Sequence, residues 1–259
     1  IQDHCLHLHH TSVRATMKVN ANFRAFAGIN FDATKYIASP SNGVRRFMLD
    51  RIGTEKARAT TIVEFQPHSN FSEHEHIGGE EFLVLKGTFK DQYGAFTKGT
   101  YVRNPIGSKH EPWVDEDGCT ILVKLLQMSE EDHLTQPLYV DVDSRKGNAQ
   151  STDYGSALEL YQNDATGESV RMCWVDPCMV LPVDDSCQSG EELFVCNGSL
   201  TMDGKDYCTW GWLRFPADSA PSTNRMQLKA GAEGAQIYRK TGHLTEKAMA
   251  MEKIKIIDE

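Results

Sequence analysis

The fold is decided by the stretch HEHIGGEEFLVLKG, residues 74–87. His74 and His76 are two residues apart, so in a strand both side chains leave the same face. A Gly-Gly pair then supplies a bend before Glu80 and a new apolar run that is typical of a strand. The stretch therefore predicts two imidazoles and a carboxylate held close together by short strands.

A second stretch, GTYVRNPIGSKH, residues 99–110, supplies the fourth group. It predicts a short strand and a Pro-x-Gly turn that delivers His110. A buried site with these four groups and no cation would leave a carboxylate unpaired, at a cost of several kcal/mol. The alternative, histidines on a polar surface strand, does not explain the glycines and proline at fixed offsets. We predict that one divalent metal per chain is bound by His74, His76, Glu80 and His110.

The spacing H-x-H-x3-E-x6-G, followed by G-x5-P-x-G-x2-H, resembles the paired motifs of the cupin superfamily. The chain departs from the cupin pattern at one position, where Val114 replaces an asparagine that often ends the second motif. That position is not a metal ligand. Over about residues 40–130 the chain looks like the ChrR-like cupins. That group includes the metal-binding half of a zinc anti-sigma factor and dioxygenases that cleave carbon–carbon bonds in diketones and hydroxyaryl ketones.

The chain repeats itself. EEFLVLKGTF at Glu80 is matched by EELFVCNGSL at Glu191, and YVRNP at Tyr101 by WLRFP at Trp212. Both matches are separated by 111 residues, the signature of an internal duplication. Short β-branched and aromatic runs between turns predict an all-β protein. The resemblance implies two tandem double-stranded β-helix (cupin) barrels.

This organisation predicts four segments along the chain: an N-terminal extension (1–39), a metal-binding cupin domain (40–139), a linker (140–157) and a degenerate cupin domain (158–259). In the second copy the ligand positions become Asp185, Cys187, Glu191 and Pro221. Proline has no side-chain ligand, so we expect no metal there. A soft cation held by the other three, with Cys178 or Cys208, is the alternative. The histidines within the first sixteen residues are typical of leader sequence or of a second metal site.

Composition narrows the class of protein. At 259 residues the chain has room for two domains, and no stretch approaches the roughly 20 apolar residues of a membrane helix. A net charge of −9 without a basic run argues against nucleic-acid binding. Seven cysteines without a C-x-x-C spacing favour reduced thiols and a cytoplasmic protein, with Cys173–Cys178 and Cys187–Cys208 bridges left open. A small-molecule substrate is expected. The resemblance to cupins that dimerise through an edge strand leaves two alternatives: a homodimer, or a duplicated chain that satisfies this contact internally.

Metal identity separates the functional hypotheses. Four protein ligands leave open positions on octahedral Fe(II), the preferred metal, or on Mn or Ni, whereas four-coordinate Zn(II) would be closed. The first hypothesis is an iron-dependent dioxygenase that cleaves a carbon–carbon bond of a small diketone or hydroxyketone. The second is a non-catalytic zinc cupin acting as a sensor or regulatory module. A metal-assisted lyase, isomerase or hydrolase is the third, since a fold alone does not choose.

The dioxygenase hypothesis predicts a catalytic residue and three substrate-pocket residues. Glu80 is the predicted catalytic residue, as a ligand that can dissociate or as a base. Its neighbour Glu81 is rejected because the six-residue step to Gly87 selects Glu80. Phe82 and Val84 share strand parity with Glu80, and Trp113 follows the second motif, so these three are candidate substrate-pocket walls, with plain core packing as the other interpretation.

Overall fold

The computed structural model of the protein describes residues 17–182, 189–217 and 227–245. Strands dominate these residues, and the all-β prediction is confirmed. In the first half the strands are β1 (Lys18–Val19), β2 (Ala27–Ile29), β3 (Ile37–Ala38), β4 (Val44–Gly53), β5 (Ala57–Phe65), β6 (His74–Glu75), β7 (Glu80–Asp91), β8 (Gly94–Thr97), β9 (Thr100–Asn104), β10 (Lys109–His110), β11 (Cys119–Leu125) and β12 (Leu138–Asp141).

The second half contains β13 (Gln150–Thr152), β14 (Gly155–Asn163), β15 (Glu168–Val175), β16 (Val180–Leu181), β17 (Glu191–Met202), β18 (Lys205–Cys208), β19 (Trp212–Phe215) and β20 (Leu228–Thr241). Helical structure in the described residues consists of α1 (Val142–Arg145) and the 3-10 turns Ala33–Lys35 and Lys146–Asn148. No helix in these ranges has the length and apolar character needed to cross a membrane.

The strands form two antiparallel sheets of nine strands and one small ribbon. The first sheet runs β1-β4-β5-β11-β7-β9-β12, with β3 on β4 and β8 on β7. The second sheet runs β13-β14-β15-β20-β17-β19-β2, with β16 on β20 and β18 on β17. The ribbon pairs β6 with β10. Corresponding strands occupy the same place in both sheets, as an internal duplication requires.

The segments before and between the predicted domains supply edge strands. From the predicted extension, β1 pairs with β4 in the first sheet, whereas β2 pairs with β19 in the second. Around the predicted linker, β12 pairs with β9 of the first sheet and β13 with β14 of the second. The N-terminal segment and the linker region therefore each contribute one strand to either sheet.

A glycine at one motif position is required in both halves. Gly87 and Gly198 have φ values of +72° and +77°, which side-chain-bearing residues rarely adopt. A Cβ atom at either position would collide with the carbonyl oxygen of Gly118 or Gly234, respectively. The motif glycine thus permits close backbone approach at equivalent places in the two sheets.

Apolar side chains form three clusters. One fills the inner face of the first sheet and another fills the inner face of the second. The third lies between the sheets and combines residues of both halves, among them Phe47, Leu83 and Leu122 with Met172, Phe194 and Tyr238. The two sheets therefore pack against each other through one face each. The opposite face of each sheet, which we call its inner face, carries a separate apolar cluster.

Charged side chains are buried beside this interface. We call the following eight residues the charged layer: Asp50, Glu81, Arg103, Lys124, Glu168, Glu192, Arg214 and Lys240. Its pairs cross the interface reciprocally: Lys124 binds Glu192 and Lys240 binds Glu81. Arg214 Nη1 lies 3.1 Å from Asp50 Oδ2, and Arg103 Nη1 lies 2.8 Å from Glu168 Oε1. Buried charges without such partners would be strongly destabilising.

Pairing within the layer favours ionisation of Glu81 and Glu192, whereas burial raises the pKa of Asp50. Burial alone would raise the pKa of the Glu81 carboxyl, but Lys240 and Arg103 bring this pKa below its ordinary value. Burial likewise opposes ionisation of Glu192, and Lys124 and His243 lower its pKa well below the usual range. These two carboxylates thus stay charged because each is paired with a lysine of the opposite half and a further basic group of its own half.

Breaking one pair of the layer should destabilise the whole chain. We expect Arg214→Met to lower the free energy of unfolding by about 3–5 kcal/mol, because Asp50 stays buried without its partner. Arg45→Met is the matched control: Arg45 pairs with Glu64 at the surface, and its loss should cost about 0.5 kcal/mol. Urea unfolding measures both values, and similar losses in the two variants would contradict the role assigned to the layer.

Candidate metal centre

The four predicted ligands are brought together by two pairs of strands. His74 on β6 lies directly opposite His110 on β10. The backbone N–H of His76 donates to the Ser108 carbonyl at 2.9 Å, which fixes the turn after β6. Glu80 begins β7, where it pairs with Leu125 of β11. Local hydrogen bonding therefore places three imidazoles and one carboxylate at one end of the first sheet.

The ligand atoms are separated by distances that one ion can bridge. All four lie within 4.8 Å of one another. The Nε2 atoms of His74 and His110 are 3.2 Å apart, and Glu80 Oε1 lies 3.7 Å from His76 Nε2 and 3.5 Å from His110 Nε2. Bonds of about 2.0–2.2 Å to a central ion place neighbouring ligand atoms about 3.0–3.6 Å apart.

Two of the imidazoles are oriented by partners on their far sides. His74 Nδ1 donates to the Ser72 carbonyl at 2.9 Å, and His110 Nδ1 donates to Asp91 Oδ2 at 3.1 Å. Because a carbonyl or carboxylate oxygen only accepts, Nδ1 carries the proton and Nε2 presents its lone pair. Asp91 itself is fixed by the backbone N–H of Tyr93, which donates to Oδ1 at 2.8 Å.

Glu80 and Glu81 point to opposite faces of β7, and the structure places Glu80 at the centre. Asn104 Nδ2 donates to Glu80 Oε1 at 3.1 Å. Burial opposes ionisation of Glu80, but the three imidazoles and Asn104 outweigh it and lower its pKa. Glu81 belongs to the charged layer and binds Lys240. The carboxylate selected by motif spacing is therefore the one that faces the histidines.

His76 provides the test of whether a cation fits. Its Nε2 atom is buried and has no hydrogen-bond partner among the described residues, although buried polar atoms are normally satisfied. Burial, as the largest effect, lowers the pKa of His76, so the ring is neutral, as a metal ligand must be. A divalent ion between the four groups would satisfy this atom and Glu80 together, so the residues fit a metal.

The four candidate ligands lie at a cavity of about 540 Å³ on the inner face of the first sheet. Its walls are mainly apolar, with Val63, Phe65, Phe71, Ile121 and Val123 among them. The volume lies within the range of about 300–1,000 Å³ that small-molecule sites occupy. The four ligands therefore form part of the wall of a chamber large enough for an organic molecule.

The predicted pocket walls lie elsewhere. None of Phe82, Val84 and Trp113 is among the residues that line this cavity. Phe82 and Val84 have the expected inward parity, but they are fully packed in the inner cluster, where the Phe89 ring lies 4.7 Å from that of Phe82. Trp113 is half-exposed and bridges to Lys90. Strand parity predicted the correct face of the sheet for Phe82 and Val84. It did not predict that aromatic packing fills the space around them.

The corresponding place in the second sheet holds an internal cation. Glu191, the counterpart of Glu80, lies 2.6 Å from Arg239 Nε through its Oε1 atom. Arg239 lies opposite Leu193 in the sheet, as Val123 lies opposite Phe82. Asp185, Cys187 and Pro221 lie outside the described residues, as do the first sixteen. Cys173 is buried and Cys178 exposed, and both are free thiols.

Residues 24–129 match the family model described as ChrR Cupin-like domain. They are a ChrR-like cupin domain. The match begins at residue 24, ahead of the start predicted at residue 40, and it contains all four candidate ligands. The resemblance seen in the cupin motifs is confirmed. Among curated proteins, no sequence matches this chain.

Solved structures share the fold across both halves of the chain. A proposed dioxygenase from Nostoc punctiforme is 14% identical, with a TM-score of 0.64 over 85% of this chain and 84% of its own. A proposed glyoxylate-induced protein from Pseudomonas aeruginosa is 15% identical, with a TM-score of 0.59 over 83% and 86%. A variant of Bacillus subtilis oxalate decarboxylase is 11% identical, with a TM-score of 0.50 over 84% and 77%. These likenesses establish the fold.

Adjacent glutamates of the cupin domain separate metal binding from stability. We expect Glu80→Gln to weaken Zn(II) binding by more than the roughly 10–100-fold that outer-shell changes produce, because it removes a charged ligand. Glu81→Gln should leave the affinity unchanged while lowering the free energy of unfolding. Competition titration and urea unfolding of both variants measure the two effects. Loss of metal from Glu81→Gln with full retention by Glu80→Gln would overturn the assignment.

Asp91 was not predicted from the sequence, and its contribution can be measured. Asp91→Asn should weaken Zn(II) binding by about 10–100-fold, because His110 loses the carboxylate that orients its ring. Asp115→Asn is the control, since Asp115 pairs with Lys90 at the surface. Equal metal affinities of the two variants would show that Asp91 does not support the centre.

Proposed function

We propose that this chain is a metal-dependent enzyme, a non-haem iron dioxygenase that cleaves a carbon–carbon bond of a small diketone or hydroxyketone. The observation that carries the proposal is the position of the His₃Glu cluster in the wall of a large apolar cavity. A catalytic metal requires positions open to substrate, whereas a structural metal is enclosed by its ligands. The Nostoc punctiforme protein named as a proposed dioxygenase shares the fold and adds weaker support.

The protein's own groups have distinct tasks in this proposal. His74, His76, His110 and Glu80 would hold the metal, and a bound divalent iron supplies Lewis acidity and redox chemistry toward oxygen. The apolar walls exclude water from a reactive substrate. Glu80 is the one ligand that can also accept a proton, from the carbon or hydroxyl of a ketone held beside it. Asn104 holds Glu80 Oε1 in place.

The two alternatives make different demands on the site. A non-catalytic zinc cupin acting as a sensor needs the four ligands but gives no reason for a chamber of about 540 Å³. A metal-assisted lyase, isomerase or hydrolase would use the same ligands and the same chamber. Oxalate decarboxylase, a cupin-fold enzyme of a different reaction class, keeps this second alternative open at the level of fold.

Metal analysis and oxygen uptake test the proposal. Protein expressed without added metal is analysed for bound elements, then stripped, reloaded with Fe(II) and supplied with a panel of β-diketones and α-hydroxyketones. We expect about one metal per chain and substrate-dependent oxygen consumption with two cleavage products per ketone. His110→Ala should abolish consumption, while Arg45→Gln, a surface change, should leave it intact.

Other outcomes separate the alternatives. Zn(II) retained through purification, with no oxygen uptake by the Fe(II) form, would favour the sensor. Ketone consumption without oxygen uptake would favour the lyase or hydrolase class. Either result would reject the dioxygenase proposal.

A further inference from the structure

Two arginines line the same cavity and have no task in the chemistry proposed above. Arg46 and Arg51 both lie on β4, and both contribute to the cavity wall. Arg51 is only 2% exposed. A guanidinium is among the side chains that are almost never fully buried without a partner, so its position inside an apolar chamber requires an explanation.

Strand register places Arg51 level with the metal ligands. Arg51 pairs with Ala59, Ala59 with Leu125, and Leu125 with Glu80. Residues directly paired across a sheet point to the same face, so Arg51 and Glu80 share one row of the inner face. Three strand spacings of about 4.8 Å separate them along the sheet. A ligand in the cavity can therefore contact the metal ligands at one end and Arg51 at the other.

Several polar atoms near Arg51 have no hydrogen-bond partner in the described part of the chain. Among the described residues, Arg51 Nε and Arg46 Nε have no hydrogen-bond partner, and neither does the Thr61 hydroxyl, which also lines the cavity. Arg51 Nη2 donates to the Thr54 carbonyl. Buried donors without acceptors each cost about 1–3 kcal/mol, so three in one chamber indicate a ligand with acceptor oxygens.

The positive charge at this end is only partly compensated. Arg46 Nη1 lies 3.2 Å from Glu55 Oε2, but the Glu55 side chain is 54% exposed and shares its charge with solvent. No carboxylate of the described residues lies within ion-pair distance of Arg51. Burial, and next Arg46, lower the pKa of Arg51 to about 10, which leaves it a cation at neutral pH. The chamber thus offers an anion site separate from the metal ligands.

We propose that the substrate is an organic anion, with chelating ketone oxygens at the metal end and a carboxylate bound by Arg51 and Arg46. The inference rests on the proposed function for the ketone end and adds the class of substrate. Guanidinium groups suit a carboxylate because each can donate more than one N–H to its oxygens. Thr61 supplies a further hydroxyl donor on the neighbouring strand.

A matched pair of ligands tests the anion site without turnover. 4,6-Dioxoheptanoate and heptane-2,4-dione share a β-diketone and chain length, and differ in a terminal carboxylate versus a methyl group. We expect the Zn(II)-loaded protein to bind the carboxylate form at least about tenfold more tightly in calorimetry, because one charge-assisted pair contributes roughly this factor. Raising the salt concentration should reduce the difference.

Variants assign the preference to the two arginines. Arg46→Gln/Arg51→Gln should bring the two affinities to within about twofold, and Arg51→Lys should retain part of the preference because the charge remains. Arg45→Gln removes the same charge one residue away, at an exposed position, and should keep the full preference. Thermal melting checks that each variant is folded. The comparison of the two ligands on unaltered protein stands even where a variant does not fold.

The outcomes keep this inference separate from the proposed function. Equal affinities for the two diketones, or a preference that persists in the double variant, would overturn the anion site. If neither diketone binds, pentanoate is the remaining probe: arginine-dependent binding of pentanoate supports the anion site and counts against the diketone chemistry. Absence of pentanoate binding as well would overturn the anion site.

Discussion

The buried charged layer is the constraint on which the rest of the structure depends. Its residues alternate along the strands with residues of the metal cavity. Glu81 lies in the layer and Glu80 in the cavity, and the neighbouring strand carries Arg103 in the layer and Asn104 beside Glu80. A shift of one strand by one residue would exchange these faces and bury unpaired charge on the wrong side. The cost of breaking buried pairs therefore also fixes the register of the ligand strands.

The second half supplies Lys240 and Arg214 as partners for carboxylates of the first half. Its own inner face differs from that of the first half, because it carries an arginine. Lys240 neutralises Glu81, while the residue before it, Arg239, faces inward and pairs with Glu191. Because the first half has Val123 at the position of Arg239, its interior keeps room for an external cation and an organic ligand. The carboxylate at this motif position thus pairs with an arginine of its own sheet in the second half and faces three histidines in the first. Absence of metal from the second half stays a prediction.

Much of the fold and the ligand set could be predicted because they depend on local spacing. Three histidines and Glu80 follow from strand parity and fixed turns, and the repeat of 111 residues predicted the two matching sheets. Asp91 and Asn104 could not be found in this way, because each reaches the centre through strand pairing across the sheet. The depth of Phe82 was also unpredictable, since it depends on how the rings of Phe89, further along β7, and Phe96, on β8, pack against it.

The position of Arg51, on which the proposed anion site depends, could not be predicted from the sequence. Along β4 the even-numbered Arg46 and Met48 pair toward the cavity face, so simple alternation would send Arg51 to the interface. A bulge between Met48 and Asp50 inserts one residue and reverses the parity. Asp50 consequently reaches Arg214 in the charged layer, and Arg51 turns into the cavity.

The second sheet has a bulge at the equivalent place, between Glu159 and Tyr161 of β14. There Tyr161 takes the interface position of Asp50, with its ring 3.9 Å from the Arg103 guanidinium, and the following residue, Gln162, is exposed. The bulge in each half therefore directs one residue toward an arginine of the other half: Asp50 toward Arg214, and Tyr161 toward Arg103. Only in the first half does the next residue place a cation inside the chamber. A feature of the interface, present in both halves, thus determines which residues a substrate can meet in one of them.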